Sequence, residues 1–320
     1  MIATDWVTGG CLKWCLMYSR TSAVRRRTAF LGYVLPFGQM SLWGKTIDFA
    51  RTLSNFKYKP NKKFMAMFVG FVDGDGYFDI GEQKQYNKNT LAKSTIRIRL
   101  SMNVHVRDLS LLEYFVKTLG VGKIDIMSGE RNQVRVIFYK KDLLTVIFPL
   151  MKEYDLKFLT YQRAKQFALM NYILKNSITY WIDVNFKVFM FDFKKLGVED
   201  LIKLDYFADW LVGFTMAEGS FGMKVNGSAF YQLRQSGGEN VNLLKTACLL
   251  ITGKNERTFN SNSVNSYQLS LTSKKNIEQV VTFFSSSNHH PLYSYKLDQY
   301  VLWLTALKKN KRYSFIFLQE

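Results

Sequence analysis

Phe68–Gly76 reads FVGFVDGDG, and 143 positions later Leu211–Gly219 reads LVGFTMAEG. Both stretches place glycine third, a small residue seventh, an acid eighth and glycine last. The features after them recur in the same order. Asp108–Leu112 (DLSLL) parallels Asn240–Leu244 (NVNLL), and Gly122-Lys123 parallels Gly253-Lys254. Lys140-Lys141-Asp142 parallels Lys274-Lys275-Asn276, and Gln166–Leu169 parallels Gln299–Leu302. These later offsets are shorter than the first by about ten residues, which puts an insertion into the first copy, in its first hairpin around Gln85–Lys93. Two related domains follow, residues 61–176 and 206–320, with a connector over 177–205 and a leader of different character over 1–60.

Within each copy the hydrophobic period changes in one order. Met65, Phe68, Val69 and Val72 recur at helical spacing, so the motif lies on a helix. Thr95–Asn103 alternates as a strand does, with Ile96, Ile98, Leu100 and Met102 on one face and Thr95, Arg97, Arg99, Ser101 and Asn103 on the other. One face is core and the other basic. Gln133–Tyr139 and Ser266–Thr272 alternate too, while Leu109–Leu119, Leu143–Met151, Ala164–Leu174 and Gln299–Leu307 carry helical patterns. Each copy therefore reads helix, two strands, helix, two strands, helix, an α+β arrangement rather than a parallel α/β one. The connector is too apolar for a flexible linker.

Lys and Arg number 44 against 25 acidic residues, a net charge of +19 that calls for a partner. A polyphosphate accounts for it most economically, because each neutralised phosphate releases a counterion. An anionic membrane surface and plain solubility are the other accounts. Aromatics make up 16% and prolines number only 4, which excludes a disordered chain. Cys11, Cys15 and Cys248 cannot build a disulfide framework, and three histidines give them little help with zinc, so a reducing compartment is expected. The longest early apolar run is broken by Gly32, Pro36 and Gly38, so no membrane span is expected.

The motifs carry a physical logic. Gly70 with Gly74, and Gly213 with Ala217, put small side chains one helical turn apart on one face, so that two such helices can pack backbone to backbone. That contact would join the domains. Asp75 and Glu218 then stand at equivalent ends of the packed pair. An isolated Asp-Gly or Glu-Gly pair usually does no more than close a helix. Two acids at matched positions repel, and a divalent cation is the simplest relief. The glycines of Asp73–Gly76 close a helix and lack the Gly-Lys-Ser/Thr ending, which excludes a phosphate loop. For base readout, the guanidinium and amide chemistry of Arg97, Arg99, Arg135, Lys224, Asn226, Gln232, Arg234 and Gln268, placed on outward strand faces, suits guanine and adenine edges in a major groove.

The two nine-residue motifs and the repeat around them resemble the two-repeat LAGLIDADG homing endonucleases, over roughly Asn61–Ser314. That resemblance implies two pseudo-symmetric α+β domains with saddle-shaped antiparallel sheets in one monomeric chain. It also implies cleavage of both strands of a long, imperfectly palindromic DNA site with magnesium or another divalent cation. By resemblance Asp75 and Glu218 are the metal ligands, one per repeat. Lys296 fits the lysine that the family carries just ahead of the last helix, whereas the first repeat has Arg163 there, and an arginine does not readily give up a proton. In the second motif Thr215-Met216 departs from the family pattern, which has an acid at the place of Asp73. Asn103 and Gln235 lie near the polar residue that the family carries at the end of its second strand. Family members also act as RNA maturases that assist splicing of their own group I intron, so intron RNA is a second candidate partner. Thr28–Gly44, TAFLGYVLPFGQMSLWG, resembles the part of mitochondrial cytochrome b around the end of its third membrane helix. Such a fragment ahead of an unrelated domain looks like an intron reading frame continuous with its exon. The alternative for the Arg25-Arg26-Arg27 stretch is an imported leader, and both lead to the mitochondrial matrix.

Overall fold

The computed structural model describes residues 59–87, 90–127, 132–187, 189–254, 259–260 and 265–317. Residues 1–58 of the leader, with the cytochrome b-like segment, lie outside the described residues.

Helix α1 (Lys62–Asp75) starts where the Asn61 side chain accepts the backbone N–H of Phe64 at 2.8 Å, filling one of the orphan donors of a helix N-terminus. Every residue from Phe64 to Val72 is buried, so this helix is apolar all round and sits in the middle of the molecule. Strands β1 (Gly76–Asn87) and β2 (Thr90–His105) follow as a hairpin, then helix α2 (Leu109–Leu119), strands β3 (Lys123–Ile126) and β4 (Gln133–Tyr139), and two helices in succession. The first of these, α3, runs through Lys140–Asp142, a π-helical Leu143–Ile147 and Phe148–Glu153; the second is α4 (Tyr161–Lys175). After the connector and a short α5 (Val198–Leu201), the order recurs: α6 (Phe207–Glu218), β5 (Gly219–Met223), β6 (Ala229–Ser236), α7 (Val241–Thr252), β7 (Phe259–Asn260), β8 (Ser266–Leu271), α8 (Lys274–Ser285) and α9 (Ser294–Lys309).

Both sheets are open, antiparallel and four-stranded, in the orders β1-β2-β4-β3 and β5-β6-β8-β7. Their inner faces carry the alternating apolar set: Ile98, Leu100, Met102, Val134, Val136 and Phe138 in one, and Phe221, Tyr231, Leu233, Leu269 and Leu271 in the other, all buried. At about 1.5–3 kcal/mol per fully buried side chain, this alternation fixes which face of each sheet turns outward. The expected insertion is the hairpin itself. Strands β1 and β2 are 12 and 16 residues long, whereas β5 and β6 are 5 and 8.

Helices α1 and α6 make the joint. A Cβ on Gly70 would lie 2.0 Å from the Trp210 carbonyl oxygen, and one on Gly213 would lie 1.8 Å from that of Met67. A Cβ on Gly74 would lie 2.4 Å from that of Ala217. The small residues are required because the two backbones touch.

Candidate active site

Glycine at this joint has a direct consequence for the acids. Asp75 is the last residue of α1 and Glu218 the last of α6, so close packing of the helices brings their carboxylates to one end of the seam. The side chain of Glu218 passes Gly74, with its Cγ 3.2 Å from the position a Cβ would take there. Asp75 as a whole residue is exposed, but the protein packed near its carboxyl partly desolvates it. That desolvation, then the charges of Glu218 and Asp108, push its pKa up to about 7 against the pull of Lys296 and Arg163. Burial raises Glu218 as well, while Arg163, Arg234 and Lys296 oppose the shift.

Two cations flank the pair from equivalent places. Lys296 Nζ donates to the carbonyl of Gly219 at 2.6 Å and to Gln299 Oε1 at 3.2 Å. Arg163 donates to the carbonyls of Val72 and Gly74, at 3.1 and 3.4 Å, and to Gln166 Oε1 at 2.8 Å. Thus Gln166 and Gln299, matched by the repeat, orient the two cations alike. Burial lowers the pKa of Lys296, with Asp108, Asp75 and Glu218 opposing.

Asp73 does different work from Asp75. It is 2% exposed and accepts four hydrogen bonds, from Leu159 N (2.9 Å), Thr160 N (3.2 Å), Thr160 Oγ1 (2.7 Å) and Trp210 Nε1 (2.7 Å). Burial still pushes it up to about 6 against those donors. It ties the N-terminus of α4 to α1 and grips an indole of the opposite repeat. In the second repeat Met216 stands in its place, and its Sδ accepts Tyr293 N at 3.3 Å, just ahead of α9. The missing acid is therefore a change in how the last helix is anchored.

Asp108 is a member of the site that the sequence had singled out only as part of the repeat. It lies at the start of α2, close enough to raise Asp75 and to act on Lys296. Its counterpart Asn240 accepts Tyr161 N, the first residue of α4, at 2.9 Å. On the other side of the pseudo-twofold, Ser294, the first residue of α9, bonds Asp108 and the hydroxyl of Ser110.

Residues 68–173 match the family model described as LAGLIDADG endonuclease. The LAGLIDADG homing endonuclease I-SmaMI bound to cleaved DNA is similar at a TM-score of 0.59 and 17% identity, over 82% of this chain and 93% of that one. I-SmaMI bound to an uncleaved DNA target in the presence of calcium ions is similar at 0.57 and 19%, over 78% and 92%. The LAGLIDADG meganuclease I-CpaMI bound to uncleaved DNA is similar at 0.56 and 17%, over 79% and 95%. The fold is that of the two-domain LAGLIDADG meganucleases.

The outward faces of the two sheets carry most of the expected readers, with corrections. Gln232, Arg234 and Gln268 share one outward face, where Arg234 Nη2 donates to Gln268 Oε1 at 3.0 Å and Gln232 to Ser270 Oγ at 3.1 Å. Lys224 and Asn226 are not on a strand face. Strand β5 ends at Met223 and β6 begins at Ala229, so both sit exposed in the turn between them. Nor is the first sheet's outer face uniformly basic. Register sets Asp79 opposite Arg99, and its carboxylate accepts Arg97 Nε at 3.0 Å, Arg97 Nη2 at 3.1 Å and Arg99 Nε at 2.6 Å. Burial works against ionisation of Asp79, but the two guanidiniums outweigh it and hold the carboxyl below the usual range. Arg135 lies 3.5 Å from Asp125 and pairs with Asn103 across β2 and β4. The partner of Asn103 in the repeat is Arg234 rather than Gln235, because Gly76 pairs with Met102 and Gly219 with Leu233. Gln235 therefore points to the other face, and Arg234 is the residue whose charge reaches Glu218.

Among the described residues no group of three or more His, Cys, Asp or Glu side chains is placed to hold a metal ion, so Asp75 and Glu218 stand as a pair. Two carboxylates are a donor set that suits a hard cation keeping water and phosphate oxygens in its remaining positions. No helix among the described residues is long and apolar enough to cross a membrane.

Proposed function

We propose that the protein is a site-specific endonuclease that hydrolyses a phosphodiester bond in each strand of a duplex DNA target. The observation that carries this reading is the meeting of Asp75 and Glu218 at the end of two packed helices, flanked by Lys296 and Arg163 and lying between two outward polar sheet faces. Asp75 and Glu218 would hold a divalent cation, magnesium in the cell; one of the similar structures was solved with calcium ions and DNA. Such an ion polarises a phosphoryl oxygen and stabilises the departing 3′ oxygen. Lys296, held by Gly219 and Gln299, presents an ammonium that would steady the phosphate, and a lysine whose pKa is lowered by burial gives up a proton more readily than an arginine. Arg163 supplies a fixed positive charge in the other repeat without that capacity. One chain supplies both halves of the site, so a monomer suffices for a DNA target with two unlike halves.

A second reading is favoured by Arg163 and by the cytochrome b-like Thr28–Gly44: an RNA maturase that assists splicing of its own group I intron in the mitochondrial matrix. Incubation with a cytochrome b gene fragment spanning the intron insertion point, with and without magnesium, tests the first reading. Cutting of both strands that is lost in Asp75→Asn and in Glu218→Gln supports it. Tight binding to the intron RNA with no cutting of DNA by the parent chain overturns it in favour of the second.

A further inference from the structure

The two repeats end their sheets differently at the edge far from the acids. In the first, the hairpin continues beyond Ile80↔Ile98, the last pair with a counterpart in the second sheet, out to Asn87↔Thr90. Seven further residues on β1 at about 3.3 Å each extend the ribbon by roughly 23 Å, a length of about seven base pairs. In the second repeat the hairpin stops at Met223↔Ala229 and closes through the turn at Lys224–Ser228.

The end of the last helix and the segment after it compensate. In both repeats that segment folds back on the hairpin. Thr179 accepts Ile96 N at 3.2 Å and Tyr180 pairs with Thr95 in the first. In the second, Asn310 Nδ2 donates to the Gly227 carbonyl at 3.1 Å and the buried Tyr313 hydroxyl accepts Ala229 N at 3.0 Å. Aligned through Gln166 and Gln299, the first segment reads Lys175-Asn176-Ser177-Ile178-Thr179-Tyr180 and the second Lys308-Lys309-Asn310-Lys311-Arg312-Tyr313. The fold-back and its tyrosine are shared, but Asn176, Ile178 and Thr179 of the first copy are Lys309, Lys311 and Arg312 in the second. Lys308, Lys309, Lys311 and Arg312 are exposed and clamped beside the exposed Lys224, with Arg312 3.4 Å from Ser228 Oγ.

We propose that the two repeats hold a duplex DNA by different devices: the first reads bases along its long ribbon, while the second grips the phosphates of its half-site with the basic segment clamped to its short hairpin. This rests on the DNA-binding reading above. A ribbon carrying Gln83, Lys84 and Tyr86 has the amide and stacking chemistry to discriminate bases, whereas lysines and an arginine beside a turn present charge without a fixed base-reading geometry.

The test compares the parent chain with Lys308→Gln, Lys309→Gln, Lys311→Gln and Arg312→Gln combined. Its control neutralises Lys59, Lys62, Lys63 and Lys203, which lie toward the other end of the motif helices from the acids. Binding to random-sequence duplex DNA is measured in EDTA across a salt series. The C-terminal variant is expected to lower the slope of log Kd against log salt by about 3 and to weaken binding roughly tenfold to a hundredfold at moderate salt. The control is expected to change the slope by less than about 1. In a selection from the same pool, the parent's consensus should reach further on one side of its centre, and replacing residues 84–92 with Asn-Gly should shorten that side alone. A parent chain that does not bind duplex DNA at low salt overturns the DNA-binding reading and this inference with it. A parent chain that binds, with the C-terminal variant matching the control, overturns the inference alone. So does a C-terminal variant that loses affinity only for a structured RNA hairpin run in parallel.

Discussion

Gly213→Ala gives the sharpest test of the seam, because two effects of opposite sign meet there. In an open helix interior, alanine is favoured over glycine by about 1 kcal/mol. At Gly213 the new methyl would start 1.8 Å from the Met67 carbonyl oxygen and 2.8 Å from the Phe71 nitrogen, both backbone atoms that no rotamer change can move. Restoring a contact of about 3.5 Å requires α1 and α6 to separate by roughly 1.5 Å. Overpacking of that kind costs about 1–3 kcal/mol and at a backbone contact more, so a net destabilisation of about 2 kcal/mol or greater is expected. The same displacement moves Glu218 away from Asp75, and a misplacement near 1 Å already costs on the order of a hundredfold in rate. Urea denaturation of the parent and the variant, followed by single-turnover cleavage of a target duplex under native conditions, reads both quantities. A variant as stable as the parent, or more so, would refute the claim that the backbones touch at this position.

Other outcomes follow from the site. Asp75 has a pKa of about 7 against an ordinary 3.8, so the unfolded chain loses that proton first and stability falls as pH rises from about 4 to 7. Asp75→Asn removes this fall, and the denaturation midpoints of parent and variant should diverge with pH across that window and run parallel above it. The same raised pKa makes a proton compete with the cation, so magnesium binding followed by calorimetry should weaken below pH 7 and release protons into the buffer. Asp73→Ala strands Trp210 Nε1 and the amides of Leu159 and Thr160 in a buried space, a loss of about 3 kcal/mol or more by urea denaturation, with cooperative unfolding retained. Arg163→Lys should raise the rate of one strand's cut and leave the other unchanged on a doubly end-labelled duplex, while Lys296→Arg should turn the product toward a nick; equal changes on both strands would contradict separate duties for the two cations.

The path from sequence to site was open at some residues and closed at others. Gly70, Gly74, Gly213 and Ala217 announced the joint because small side chains one turn apart have few other uses on an otherwise bulky helix. The alternation of Thr95–Asn103 gave the faces of β2 directly. By contrast, nothing in the linear order says that Asp79 faces Arg99, since cross-strand partners depend on register, and so a face rich in arginine looked more basic than it is. The assignment of Gln235 instead of Arg234 was a slip of one residue. The inward pair Tyr231 and Leu233 already puts Gln235 on their side of the sheet, so parity held the correction. Asp108 was hidden for another reason: it reaches Asp75 from beyond the β1–β2 hairpin of its own repeat and Lys296 from across the seam, and neither approach has a local signature. Lys224 and Asn226 lie off a strand face because the short second hairpin ends seven residues earlier than a copy of the first would.

The hydrogen bonds that cross the seam make each half a supplier to the other. The indole of Trp210 ends on Asp73, the first amide of α4 ends on Asn240, and the first residue of α9 ends on Asp108. None of these three has the same chemistry as its pseudo-symmetric counterpart. Severed at the connector, a homodimer of either piece would lose the Asp73–Trp210 pair, because methionines, Met67 and Met216, stand at the corresponding places of the other repeat.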